Sequence, residues 1–187
     1  AVGFKINAEV FSPIVARFIR FTVNKANRGE PCIDELEVFS EGNNVALASA
    51  GCKATSSGDF VHPLHKLPHI NDGLYGNANS WISKQATGGW VQLELPSSKA
   101  IDRIVWGRDR EGKFKDRLAV DYQIEVSQDG SSWQLVASSK DRLPHVGSEP
   151  QKIAYDFESL LEPELTQAQT LLAQQAKLQK QREELLK

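Results

Sequence analysis

The chain has 187 residues, 40% of them hydrophobic and 25% charged, with a formal net charge of −2. That length allows one domain of about 150 residues plus an extra element, and the near-neutral balance offers nucleic acid no basic face. No apolar run approaches the roughly 20 residues of a membrane span, and the lack of a signal peptide or any Met is what a processed product or a piece of a longer protein would show.

In chain order, Phe4 and Ile6 open a weak strand. Arg17 to Val23 is stronger, with Ile19, Phe21 and Val23 on one face and Phe18, Arg20 and Thr22 on the other. After a turn at Asn27-Arg28-Gly29, Ile33 to Phe39 alternates again. Leu36 and Val38 face inward, and Glu35 and Glu37 point the other way. Residues 43–57 read as a short extended piece, a turn at Gly51 and a small-residue strand. Residues 58–83 have little periodicity and are rich in Gly, Asn, His and Pro. A loop of about 26 residues inside a domain is usually functional or organised by something specific, such as an ion.

Residues 90–136 carry the clearest pattern. Val91, Leu93 and Leu95 alternate with Gln92 and Glu94, and Pro96-Ser97-Ser98 reads as a turn. Ile101 to Trp106 is a second apolar run, leading into a charged loop over 107–117. Val120, Tyr122, Ile124 and Val126 alternate next, Asp129-Gly130 marks a tight turn, and Trp133 to Val136 begins another strand. Lys152 to Phe157 reads as the last strand. Residues 159–187 then contain no Gly and no aromatic residue. They are helix-forming material, with Pro163 suited to a first turn. Leu171, Leu178 and Leu185 repeat every seven residues, which suggests a coiled coil but is too short to establish one. A single amphipathic helix packed on a domain is the alternative. The expectation is an all-β sandwich over residues 1–157 and a C-terminal helix over 159–187, serving as a linker or for self-association.

Four segments together resemble a known family. They are NVALASAGCKATSS from Asn44, NDGLYGNANSWIS from Asn71, GWVQLELPSSKAIDRIVWGRDRE from Gly89, and DYQIEVSQDGSSWQLV from Asp121. The series is similar to the discoidin, or coagulation factor 5/8 type C, domain. That family is also known as the family 32 carbohydrate-binding module and has a galactose-binding-like jelly roll. Its members end with strands of the type found here at Ala16–Arg20 and Glu35–Phe39, so the resemblance implies a circularly permuted jelly roll. Close chain ends make such permutation inexpensive. The rival account makes residues 1–40 the tail of a preceding repeat, which would leave open sheet edges.

The resemblance implies further features. A structural calcium ion would be held by Asp72, Ser80 and Glu35 with carbonyls between Ile70 and Ser80, since hard cations take oxygen ligands. An Asx turn at Asn71-Asp72-Gly73 without an ion is the plainer reading. The chain has two cysteines, Cys32 and Cys52. Read alone, they are either one bridge or two buried thiols; the family order implies a bridge between first and last strands, given an oxidising compartment.

Two loops are candidate ligand contacts. In the first, Phe60, His62 and His65 stand with His69, where Pro63 and Pro68 prevent a zinc-binding helix face. In the second, Arg108, Arg110, Lys113 and Phe114 stand in a mixed-charge run that offers donors for sugar hydroxyls or a carboxylate. Arg108 matches an Arg at the binding tip of sugar-binding relatives. Phe60, Tyr75 and Phe114 are candidate stacking platforms, whereas Trp81, Trp90 and Trp133 match core or near-core positions. No catalytic constellation is recognisable. The expectation is a non-catalytic glycan-binding module of a larger secreted bacterial protein, extracellular or periplasmic. The alternative is a structural domain that docks on neighbouring protein.

Overall fold

The computed structural model describes residues 1–142 and ten positions between 166 and 181. Its strands are β1 (Asn7–Ala26), β2 (Cys32–Ile33), β3 (Glu35–Ser40), β4 (Asn43–Asn44), β5 (Lys53–Ser56), β6 (Trp81–Ile82), β7 (Gly89–Gly107), β8 (Ala119–Ser127) and β9 (Gln134–Ser138). They lie antiparallel in the order β4-β3-β7-β1-β8-β9, with β5 also on β7, and β2 pairs separately with β6.

The long pair β1–β7 cannot be flat. Phe21 lies opposite Val91, while Asn7 lies opposite Trp106. Fourteen residues of extended strand between Asn7 and Phe21 span about 46 Å. Yet the rings of Phe21 and Trp106 are 5.1 Å apart, edge to face. The two-stranded ribbon therefore folds over on itself, and its halves become parts of two facing leaves. The bend sits at register breaks between Val10 and Ile14 and between Ala16 and Phe18, where bulges and Pro13 interrupt the ladder. On β7 the bend falls at Pro96. The turn expected there is instead a corner within one continuous strand, and the two runs read separately in the sequence are its two halves.

One leaf holds β5, the first half of β7, the second half of β1, β8 and β9. The other holds β4, β3, the second half of β7 and the first half of β1. Between them pack Ile19, Phe21, Val23, Leu93, Tyr122 and Ile124 against Leu36, Val38, Ile104 and Trp106, all at most 1% exposed. Tyr122 stacks on Phe21 at 5.1 Å and meets Trp106 edge-on at 5.0 Å. Each such side chain contributes roughly 1.5–3 kcal/mol by leaving water. The chain is thus an all-β sandwich, and residues 7–40 are built into the same leaves as the rest. They are not the tail of another repeat.

Several expectations resolve differently. Trp81 is fully buried, but Trp90 and Trp133 are only half-buried and sit on the outer face. There they grip the Arg20 guanidinium from 5.1 and 4.0 Å while it donates to Gln92 Oε1. Glu35 and Glu37 do face away from the core, but both are buried, because residues 72–76 cover them. Cys32 and Cys52 are both free and buried. Cys32 lies against the Arg108 carbonyl, while Cys52 lies beside Asn71, so no bridge joins them. The strand expected over Lys152–Phe157 lies outside the described residues. The described positions of the C-terminal segment are helical and exposed, Leu171 and Leu178 among them, and Thr170 Oγ1 donates to the Thr166 carbonyl. By contacts, residues 1–148 and 149–187 are separate compact units.

Phe21→Ala should lower the unfolding free energy by about 3–5 kcal/mol in a denaturant melt, because it removes the ring on which Trp106 and Tyr122 both rest. Burial pushes each thiol up to about 11. Alkylation at neutral pH should therefore leave both cysteines unlabelled in the folded protein, and denaturation should expose two thiols per chain; labelling in the folded state would contradict the packing.

Candidate functional site

One end of the sandwich gathers the loops that leave β1 and β7 with the loop between β5 and β7. The loop after β7 is organised from within by Asp109, which is fully buried. Its carboxylate accepts from the backbone N–H groups of Glu111, Lys113 and Phe114, at 3.2, 2.9 and 2.8 Å. The backbone amides of Arg108 and Asp109 donate to the carbonyl of Phe4, at 2.9 and 3.1 Å. The incoming N-terminal segment therefore floors this loop.

Arg108 does not project into solvent. It is 2% exposed. Its Nε donates to the Asp116 carbonyl at 2.7 Å, Nη2 to Asp116 Oδ1 at 3.0 Å, and Nη1 to Asn77 Oδ1 at 2.8 Å. It ties the 108–118 loop to the 72–80 loop, and Phe114 stands 5.4 Å from its guanidinium. From Asn77 the contacts continue around the tip. Ser80 Oγ donates to the Asn77 carbonyl at 2.7 Å and meets His65 Nδ1 at 2.7 Å. The His65 ring is 4.6 Å from His62, and His62 stacks 6.5 Å from Phe60. Phe60 lies 5.8 Å from the Arg117 guanidinium, and Arg117 reaches back to Asp116 at 3.7 Å.

Eight residues thus close a ring. Phe60 and Phe114 present rings 37% and 44% exposed, and His62 is exposed beside them. Burial, helped by the charges of His62, Arg108 and Arg117, holds His65 below the ordinary imidazole value. At neutral pH its ring is therefore a neutral donor or acceptor.

Of the residues singled out in sequence, Phe60, His62, His65, Arg108 and Phe114 converge, with Arg108 as foundation. Arg110 and Lys113 do not join them. Lys113 pairs with Glu111 at 2.8 Å in solvent, and Arg110 turns towards Glu37 and Asp34. Asp116 and Arg117, from the same mixed-charge run, belong to the ring, and so does Asn77, which no local motif marks. Arg117 has a left-handed backbone, φ 58°, and its guanidinium is paired with Glu30.

Residues 69–157 match the family model described as the NedA-like, galactose-binding domain of the F5/F8 type C group. The match supports a discoidin-like galactose-binding domain over those residues. No curated protein sequence matches it. The matched segment supplies all of the loops 72–80 and 108–118 and the strands β6 to β9. Phe60, His62 and His65 precede it, and the permuted order places β1 and β3 before it as well.

Beside the ring, the other side of the 72–80 loop covers a second polar group of this discoidin-like domain. Glu35 is fully buried; Oε1 accepts from Gly73 N at 3.1 Å, and Oε2 has no partner. Asp34 Oδ2 accepts from Gly76 N and Arg110 N, at 3.2 and 2.6 Å, and its Oδ1 accepts no hydrogen bond. Glu37 receives Tyr75 Oη at 3.1 Å and Arg110 Nη2 at 2.5 Å. Burial above all, with Asp72 and Glu37 nearby, pushes the Glu35 carboxyl up to about 9.

Of the oxygen ligands expected for a divalent cation, Glu35 Oε2 is the one left without a partner. Asp72 is near enough to raise Glu35, though its Oδ1 accepts from Leu74 N at 2.8 Å. Ser80 does not turn towards Glu35, being held by Asn77 and His65. Among the described residues no three His, Cys, Asp or Glu side chains form a metal shell.

A raised folded-state value means that Glu35 contributes stability fully below its ordinary 4.5 and loses it as pH climbs towards about 9. In metal-free buffer the melting temperature of the native protein should fall from about pH 5 to about pH 8, while Glu35→Gln, which mimics the protonated acid, should fall less. Identical slopes for the two proteins would show that Glu35 does not titrate in this range.

Proposed function

We propose that the domain is a non-catalytic carbohydrate-binding module that takes glycan on the ring formed by Phe60, His62, His65, Asn77, Arg108 and Arg117. The observation that carries this reading is the convergence of three separate loops on one small surface. Two aromatic rings there are half-exposed, and the polar groups between them are already fixed by one another. Fixed donors and acceptors around an apolar platform suit a pyranose, which presents one apolar face and a rim of hydroxyls. Phe60 and Phe114 supply stacking surfaces, and His62 and His65 supply hydrogen bonds. Arg108 acts through Asn77 and Asp116 by holding the loops in place.

In the same reading, the domain serves a larger secreted bacterial protein, outside the cell or in the periplasm. A calcium ion held by Glu35, with Asp72 and carbonyls of the 70–80 loop, would neutralise the buried carboxylate and hold that loop closed. The net charge of −2 offers nucleic acid no basic face, and no helix among the described residues is long and apolar enough to cross a membrane.

A second reading, docking on a neighbouring protein domain, draws on a different surface. A shallow cavity of about 350 Å³ is lined by Val10, Phe11, Pro13, Gly42, Asp102 and Arg103, and Val10 is 77% exposed. Pairing through the C-terminal helix would belong to that reading.

The test is glycan binding by the isolated chain across a broad panel, followed by calorimetry. Phe60→Ala and Phe114→Ala should each weaken binding by about tenfold, near 1.4 kcal/mol, with the melting temperature preserved. A folded protein that binds nothing on the panel would sink the proposal in favour of docking. Added calcium should raise the melting temperature of the native protein and leave Glu35→Gln unmoved; an equal response from both proteins would remove the ion from Glu35.

A further inference from the structure

The charges around the ring are unevenly matched. Residues 58–69 and 107–117 carry six Lys or Arg against four Asp or Glu, although the whole chain is at −2. Every one of those four carboxylates is engaged. Asp109 is enclosed by three backbone N–H groups, and Asp116 holds Arg108 and Arg117. Glu111 holds Lys113. Asp59 accepts from Ser56 Oγ at 2.6 Å and Trp81 Nε1 at 2.7 Å. On the adjoining loop Glu30 is paired with Arg117, which keeps Glu30 below the usual carboxylate range.

The cations are not all engaged. Arg28, Lys66 and Lys115 are exposed, and none has an ion pair among the described residues. Their backbones are pinned to the ring. The Arg28 carbonyl accepts from Arg117 N at 3.0 Å, the Lys115 carbonyl from Asn27 Nδ2 at 2.8 Å, and Lys66 N donates to the Ser80 carbonyl at 3.0 Å. Three free cations thus rise from the rim of a surface whose own anions are already neutralised.

We infer that the ligand is an acidic glycan, a chain whose sugars carry carboxylate or sulfate. This rests on the reading of the ring as a glycan site and adds the charge class. The sugar face lies on Phe60 or Phe114, and its anions meet Arg28, Lys66 and Lys115. Those contacts are solvent-exposed, so they are individually weak and screened by salt. They act together and steer the approach of a polyanion. An anionic lipid surface would use the same cations, but it would leave the hydrogen-bonding groups of the His62 and His65 rings without hydroxyl partners. The glycan is therefore the better match.

The experiment measures binding of the full chain to oligogalacturonate, a sulfated galactan, a neutral galactan of matched length, and phosphatidylserine vesicles. At low salt one of the acidic chains should bind about tenfold more tightly than the neutral one, and the margin should shrink at about 0.5 M salt. Which acidic chain binds separates carboxylate from sulfate. The double variant Arg28→Ala, Lys115→Ala should abolish the margin without weakening neutral galactan. Phe60→Ala should weaken both kinds of chain. Equal binding of acidic and neutral chains overturns the charge preference and leaves the glycan site standing. Binding of vesicles alone, or of nothing, overturns both.

Discussion

Everything in this domain hangs on one antiparallel ribbon folded back on itself. β1 and β7 stay paired along nearly their whole lengths while crossing from one leaf of the sandwich to the other. Every other strand of the main sheet attaches to this ribbon or to a strand already on it. The Phe21–Trp106 contact is what the fold-back achieves, since it joins residues that a flat sheet would hold far apart. The binding end is equally dependent. The loops at the ring start or finish at Ala26, Gly89 and Gly107, which are ends of the same two strands. A jelly roll whose closing strands come first in the chain works because the ribbon, rather than the chain order, determines which ends meet.

The tip is held by polar chemistry more than by apolar packing. Arg108 and Asp109 are as buried as the core, and each is satisfied by groups from the loops it joins. A buried charge without partners is costly, so such residues hold the loops that satisfy them in one arrangement. The 72–80 loop has two roles. Asn77 and Ser80 complete the ring on one side, and Gly73, Tyr75 and Gly76 close over Glu35, Glu37 and Asp34 on the other. Whatever satisfies Glu35 is therefore linked through the 72–80 loop to the ring.

The leaves were readable because alternation is a local property. Ile19, Phe21 and Val23, Leu36 and Val38, and Val91, Leu93 and Leu95 all face inward as their spacing predicts. The continuity of β7 through Pro96 was not readable, because proline next to serines ordinarily signals a turn. Only the partner strand β1, bending at the same place, makes it a corner. The two loops that supply much of the ring were legible as unusual stretches, but the contacts inside them were not. Arg108 and Arg110 are the same residue type two positions apart. One supports the ring through Asn77, 31 residues away, and the other pairs with Glu37, 73 residues away. The two free thiols follow the same logic. Family order brings Cys32 and Cys52 into question together, yet their neighbours, the Arg108 carbonyl and Asn71, are different parts of the molecule.

The carbonyl of Phe4 has a mechanical consequence. It is the acceptor for the amides of both Arg108 and Asp109, so the segment leading into the sandwich is fastened to the loop that shapes the ring. Arg142, just past β9, donates to the Ala8 carbonyl and to Glu9 only a few residues further on. The segment before β1 is therefore tied both to the loop after β7, through Phe4, and to Arg142, through Ala8 and Glu9. A pull on the incoming chain is delivered to the backbone of that loop before it reaches either leaf of the sandwich.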